Sequence, residues 1–208
     1  MATEATFAVK LSGYTDVPEG KIATNVTYLE QRARPELRPE PPTDGFALAR
    51  LRGDEAARYR DLFIAVGEEW LWFSRRYFTD VELAAYMDDP GIEILALTRD
   101  GRDIGLVELD WRELETSGDV ELALFGLVRE AIGGGAGRWL INRAIERAWA
   151  REPARFWVHT CSFDHPAALA FYRRSGFVPY KFGLEVADDP RLLGYLPREA
   201  GPHIPLIE

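Results

Sequence analysis

The sequence predicts an α+β fold built on a mixed, mostly antiparallel sheet flanked by helices. Three observations carry this. Residues 92–128 hold three consecutive strand-like runs, IEILALTR, RDIGLVELDW and DVELALFGLV. The first two are joined by Asp100-Gly101, a strong hairpin signal between apolar runs. A strand, helix and strand then follow between 119 and 162, the order that supplies a parallel pair.

Each element has its own local reason. Residues 1–45 read as an N-terminal extension. Within it, IATNVTYLEQ (22–31) carries the β-branched and aromatic residues of a strand that adds to the main sheet or to a partner. RARPELRPEPPTDG (32–45) places four prolines among charges, which denies a helix or ladder its donors and marks a linker or extended crossing segment. The main domain is expected over 46–187. It opens with a strand, FALARLRG, after which Asp54 stands where a helix cap belongs. A helix is expected over 55–73, with Ala56, Tyr59, Leu62, Phe63, Val66, Trp70 and Phe73 at helical spacing and Gly67 as its weak point. Thr79 and Glu82 form a capping-box signature for a second helix at 80–88, which Pro90-Gly91 ends.

After the three strands comes a glycine cluster at 133–137, then a helix over 136–151 with Leu140, Ile141, Ala144, Ile145 and Ala148 on one side. RFWVHTCS reads as a strand, HPAALAFYRRSG as a short helix and FVPYKFGLEV as a final strand, with a proline-rich tail from 188 lying over the surface.

Composition bounds the function. A chain of 208 residues, 47% hydrophobic and 12% aromatic, is long and apolar enough to build a core without staples, and its single cysteine, Cys161, excludes an internal disulfide framework. The net charge of −9 argues against a general nucleic-acid binder, which needs clustered cations, and favours neutral or cationic small substrates. No leader pattern opens the sequence and no apolar run reaches the length of a membrane span, so a cytoplasmic protein with no membrane partner is expected.

Gly133, Gly134, Gly135, Ala136 and Gly137 stand between a strand and a helix. Glycine there costs backbone entropy unless something approaches closely, and outward-pointing amides at a positive helix end suit a diphosphate. A flexible connector is the bland alternative. The cluster lacks the G-K-[ST] of a nucleotide P-loop, and the antiparallel strands before it do not suit a dinucleotide fingerprint.

VELALFGLVREAIGGGAGRWLI, followed after one strand by HPAALAFYRRSGFVPY, resembles the two signature regions of the GNAT superfamily of acyl-CoA-dependent N-acyltransferases. The resemblance covers about 46–187 in element order and is specific over 119–180. In that family the first region reads Q/R-x-x-G-x-G/A, and its backbone amides hold the pyrophosphate of coenzyme A. Here it falls on Ile132, Gly133, Gly134, Gly135, Ala136 and Gly137. Ile132 stands where Gln or Arg is usual, a departure that touches the side-chain contribution and leaves the amides unaffected. The downstream F-Y-x-x-x-G-F pattern is met by Phe171, Tyr172, Gly176 and Phe177.

The resemblance implies acetyl-CoA as cosubstrate, no metal, and a strand before the glycines that splays from the strand at 155–162. The pantetheine arm would enter there, paired with the main chain of Phe125, Leu127 and Val128, while Arg138 lies close to the diphosphate. His165 replaces the family's asparagine, so that polar contact to the cofactor arm is altered.

Tyr172 stands at the family's tyrosine position, so the resemblance implies that it would protonate the departing thiolate, with a core aromatic as the plain alternative. Glu121, six residues before Leu127, matches the offset of the base glutamate in the histone-acetylating branch of the family. The resemblance implies that it would deprotonate the amine, with a solvated strand carboxylate as the plain alternative and with Glu108 and Asp110 on the neighbouring strand competing for that role or forming salt bridges. His159 and Cys161, with Asp164 and His165 beyond, lack any familiar nucleophile or metal-ligand spacing. The aromatics of GEEWLWFSRRYF (67–78) fall where the family builds its acceptor pocket, and serve equally as core. The expected activity is acetyl transfer from acetyl-CoA to a small primary amine by direct attack in a ternary complex. The rivals are a non-catalytic acyl-CoA-binding module and acetylation of a protein N-terminus or lysine. Family habit implies a homodimer, with the 22–31 strand and the tail as segments for exchange.

Overall fold

The computed structural model describes residue 6, residues 8–42 and residues 45–208. Thr43 and Asp44 of the expected linker, and most of the first seven residues, lie outside them.

Seven strands form one sheet in the order β2-β3-β4-β5-β6-β1-β7. They are β1 (Lys21–Gln31), β2 (Phe46–Leu51), β3 (Ile92–Arg99), β4 (Arg102–Asp110), β5 (Asp119–Leu127), β6 (Arg155–Cys161) and β7 (Val178–Asp188). All neighbours are antiparallel except β5 and β6. Helices α1 (Ala56–Gly67) and α2 (Asp80–Met87) cover one face, α4 (Ala136–Trp149) covers the other, and single turns of helix, α3 (Leu114–Ser117) and the slightly longer α5 (Ala168–Arg174), occupy connections. Two cores result. Leu97, Val107, Leu109, Leu122, Phe156 and Val158 pack against Leu140, Ile141 and Ile145 of α4. On the opposite face Ile94, Ala96 and Leu106 pack against Tyr59, Phe63, Leu83 and Met87.

The strand expected at 22–31 is internal to this sheet. It pairs with β6 from Val26↔Cys161 to Gln31↔Phe156 and with β7 from Lys21↔Asp188 to Glu30↔Val178. Its alternation accounts for the place: Ile22, Thr24 and Val26 are buried toward one face and Thr27, Leu29 and Gln31 toward the other, as an internal strand requires.

Two local expectations are corrected. The first helix stops at Gly67 instead of running to Phe73. The chain turns through a 3₁₀ segment at 68–70 and Leu71 at φ 54°, and Trp72 N–H returns to the Gly67 carbonyl at 3.0 Å. A Cβ on Gly67 would lie 2.5 Å from the Trp72 Cβ, so the close return depends on glycine there. Asp54 lies inside a 3₁₀ turn and caps nothing; Asp88 instead accepts from the Gly53 amide at 3.0 Å. The second helix behaves as expected, with Thr79 and Glu82 forming a complete capping box.

The tail is more than a surface cover. Leu196 and Ala200 are buried against Leu71 and Ile22, with Phe73, Phe163 and Ile204 around them. Arg191, 4% exposed, is paired with Asp189 and donates to the carbonyls of Ala200, Ile204 and Pro205. Both β1 and the tail thus pack within their own chain.

Candidate active site

The parallel pair β5–β6 is fastened at one end and open at the other. Arg155 and Asp119, opposite each other at the start, form a salt bridge with Nε to Oδ1 at 2.9 Å. Pairing continues through Val120↔Phe156 and ends at Glu121↔Trp157. Beyond that point β5 runs on to Leu127 and β6 to Cys161 without bonding, and the gap opens into a cleft of about 480 Å³. A bulge at Ala123, where Leu109 opposes Leu122 but Glu108 opposes Leu124, redirects β5 just past Glu121.

The bonding of β5 to β4 decides which main-chain groups face this gap. Val128 N–H donates to the Ile104 carbonyl at 3.0 Å. Alternation along the antiparallel ladder then puts Gly126 in the bonded pair with Leu106 and turns the main-chain groups of Phe125 and Leu127 to the edge that β6 has left. The expectation for Val128 is corrected: its N–H is held by Ile104 and its carbonyl accepts from Ala131 N–H at 3.0 Å.

The cleft brings together Glu121, Phe125, Leu127, Ile132, His165 and Tyr172 among the residues singled out from sequence. Tyr172 is buried between the rings of Phe125, Phe171 and Phe177, and burial holds its hydroxyl well above the ordinary phenol pKa. Glu121 is the cross-strand neighbour of both Asp110 and Trp157, and its Oε1 lies 3.5 Å from His159 Nδ1. That contact raises the His159 pKa. Cys161 shares the cleft, but burial pushes its thiol upward, against a standing thiolate.

The competing carboxylates have other partners. Glu108 is fully buried and accepts from Tyr59 at 3.0 Å, from Tyr86 and from Arg75, a closed network beneath the cleft. Asp110 lines the cleft, and although burial opposes it, bonds from Arg112 hold its carboxyl below the usual range.

Of the aromatic segment, Trp70, Trp72 and Phe73 line the cleft. Trp72 also belongs to the core beside Phe63, while its Nε1 donates to Asp164 Oδ1 at 3.2 Å across the opening. Asp164 is further fixed by Thr160 Oγ1 and Cys161 N–H, each at 2.8 Å. Trp70 sits between the rings of His165 and His203, at 5.1 and 5.5 Å. His165 Nδ1 accepts from the Ala167 amide at 3.0 Å, which leaves its Nε2 carrying the proton when the ring is neutral. Nothing in the sequence periodicity signalled the Trp72–Asp164 bond or the place of His203, because these partners lie on distant segments.

The glycine loop adjoins the cleft at Ile132. Gly133 and Gly135 have φ of +90° and +88°, conformations that favour glycine. Gly133 and Gly134 border open space, whereas a Cβ on Gly135 would overlap Pro41. Ala136 is buried, and Gly137 packs near Phe171 and Leu127. Arg138 Nη1 donates to the Pro39 carbonyl at 3.0 Å. Among the described residues no group of three or more His, Cys, Asp or Glu side chains is arranged to hold a metal ion, and no helix is long and apolar enough to cross a membrane.

A sequence model described as the Acetyltransferase (GNAT) family matches residues 56–177. Among solved structures, a GCN5-related N-acetyltransferase from Sphaerobacter thermophilus is 16% identical with a TM-score of 0.59, over 80% of this chain and 52% of that one. A spermidine N-acetyltransferase from Vibrio cholerae, a dodecamer, is 19% identical with a TM-score of 0.54, over 73% and 98%. An aminoglycoside acetyltransferase from an uncultured soil metagenomic sample, in complex with sisomicin, is 16% identical with a TM-score of 0.53, over 64% and 88%. The chain spans only 63% of a functionally unknown Staphylococcus epidermidis protein and about half of the Sphaerobacter one. At these identities the likeness concerns the fold. No curated protein sequence matches the chain.

Proposed function

The chain belongs to the acetyltransferase (GNAT) family, and from that premise we propose that it transfers an acetyl group from acetyl-CoA to a primary amine of a small molecule. The observation that carries the reading is the parting of β5 from β6 after Glu121↔Trp157, with Glu121 and Tyr172 lining the one cleft that opens there. In this reading the free main-chain edge at Phe125 and Leu127 pairs with the amide-bearing arm of the cosubstrate, as an added strand would. The open amides around Gly133 and Gly134 and the start of α4 hold the diphosphate.

Direct attack needs a neutral amine, and Glu121 is the acceptor of its proton, with His159 beside it. The nitrogen then bonds to the thioester carbonyl carbon, the C–S bond breaks, and Tyr172 gives its proton to the departing sulfur. The raised phenol pKa keeps that proton in place at neutral pH. His165 and Trp70 form the wall near the arm. A small acceptor is favoured over a peptide because the tail backs one wall of the cleft, where His203 packs on Trp70 and lies 2.9 Å from the Phe163 carbonyl.

The test is calorimetric titration of acetyl-CoA into the wild type and Gly134→Trp. Gly134 has open space around it and no positive φ, so the indole fills the loop without straining the fold. Binding lost in the variant is expected, and a screen of amines against the wild type then follows; a folded wild type that binds no acetyl-CoA refutes the reading.

A further inference from the structure

Residues 32–42, proline-rich and following β1, form a strap joining the C-terminal end of α5 to the N-terminal end of α4. It leaves β1 where Gln31 Nε2 donates to the Ser175 carbonyl at 2.9 Å and Pro35 covers Gly176. It then runs along α4: the Arg38 carbonyl accepts from Asn142 Nδ2 at 2.8 Å, the Pro39 carbonyl accepts from Arg138, and Pro41 covers Gly135. This course sets Arg38 between Arg174, the last residue of α5, and Arg138, in the first turn of α4.

These three guanidinium groups form no ion pair among the described residues. Of the strap's described carboxylates, Glu40 is turned to Asn142 and Arg143, and Glu36 forms no ion pair with any of the three. The Nε of Arg138 is buried without a partner. Burial, with the charges of Arg138 and Arg174 beside it, lowers the Arg38 pKa, as expected of cations gathered without an anion. In a protein of net charge −9 such a grouping is conspicuous, and the strap that carries Arg38 goes on to cover Gly135 of the glycine loop with Pro41.

We propose that Arg38, Arg138 and Arg174 form a phosphomonoester site for the 3′-phosphate at the adenosine end of coenzyme A. This rests on the acetyl-CoA reading above. The glycine amides account for the diphosphate, and the 3′-phosphate is the cofactor's remaining anion, a dianion suited to several guanidinium groups. The strap lies outside the region matched by the family. The N-terminal segment thus contributes Arg38 to a site whose other two arginines, Arg138 and Arg174, lie within the matched region.

Calorimetry with coenzyme A and with 3′-dephospho-coenzyme A tests this on the wild type, Arg38→Gln and Arg174→Gln. The wild type is expected to prefer coenzyme A by about tenfold or more, and the preference to weaken with added salt. Each variant should lose most of that preference while binding the dephospho form within about twofold of wild type. Arg174 is exposed, so its replacement leaves folding intact. Equal binding of the two ligands by the wild type, or equal weakening of both in the variants, overturns the site and leaves the acetyl-CoA reading standing. Binding of neither ligand by folded wild type removes both.

Discussion

His159 Nδ1 lies 3.5 Å from Glu121 Oε1, across the point where β5 and β6 separate. Glu121 is the main cause of the raised His159 pKa; burial opposes it, and Asp164 and Glu185 add to it. Because the folded pKa exceeds the unfolded value of about 6.5, the pair stabilises the fold fully below that pH. The contribution fades as pH rises through the folded value. His159 is 42% exposed, so solvent screening limits it to no more than about 1 kcal/mol. In an NMR titration, Glu121→Gln should lower the His159 pKa; an unchanged value would show that another group holds the ring.

Tyr172→Phe removes one hydroxyl from a packed ring and should leave the fold and acetyl-CoA affinity near wild type. As the proposed acid, Tyr172 should cost about 10²–10⁴-fold in kcat when replaced. Its raised pKa also means that no loss of activity between pH 7 and 9 should trace to this phenol. Steady-state rates of wild type and variant across that range check both statements, and equal kcat values would remove Tyr172 from the chemistry.

Glu108→Ala should be severely destabilising. It would strand Arg75, whose side chain is 17% exposed, together with two tyrosine hydroxyls in an apolar interior. Breaking a buried pair in this way costs about 3–5 kcal/mol. Urea unfolding of wild type and variant measures it; a cost under about 1 kcal/mol would contradict the buried network.

A chain beginning at Phe46 should not fold. Without β1, the facing edges of β6 and β7 have no partner, and Leu29 leaves a void against the α4 core. Circular dichroism and solubility of the truncated chain, compared with the full chain, would reveal it; a cooperatively melting fragment would show that β1 is dispensable.

Much of the architecture was legible because it is written at short range. Apolar strand-like runs at 92–99, 102–110 and 119–127, with Asp100-Gly101 between the first two, marked strands, the Thr79–Glu82 pair marked a helix start, and the glycines and the Phe171-Tyr172 pattern marked two signature regions. The early end of α1 was half visible, since Gly67 was the weak point, but the return of Trp72 that ends it there involves packing against Gly126 and Asp164.

The sequence by itself determined the types and order of the elements, because periodicity depends on residues two to four apart, while Glu121 and Tyr172 were singled out by the resemblance to the GNAT signature regions. Tertiary structure alone decided that β1 enters between β6 and β7 and that His159 stands beside Glu121. It also decided that Val128 bonds to Ile104 and that the proline strap lays Arg38 along α4 at Asn142 and Pro41 over Gly135. Each of these is a contact between segments far apart in the chain. Their partners are chosen by which faces and edges remain unsatisfied once the local elements have formed, and no local pattern records that choice.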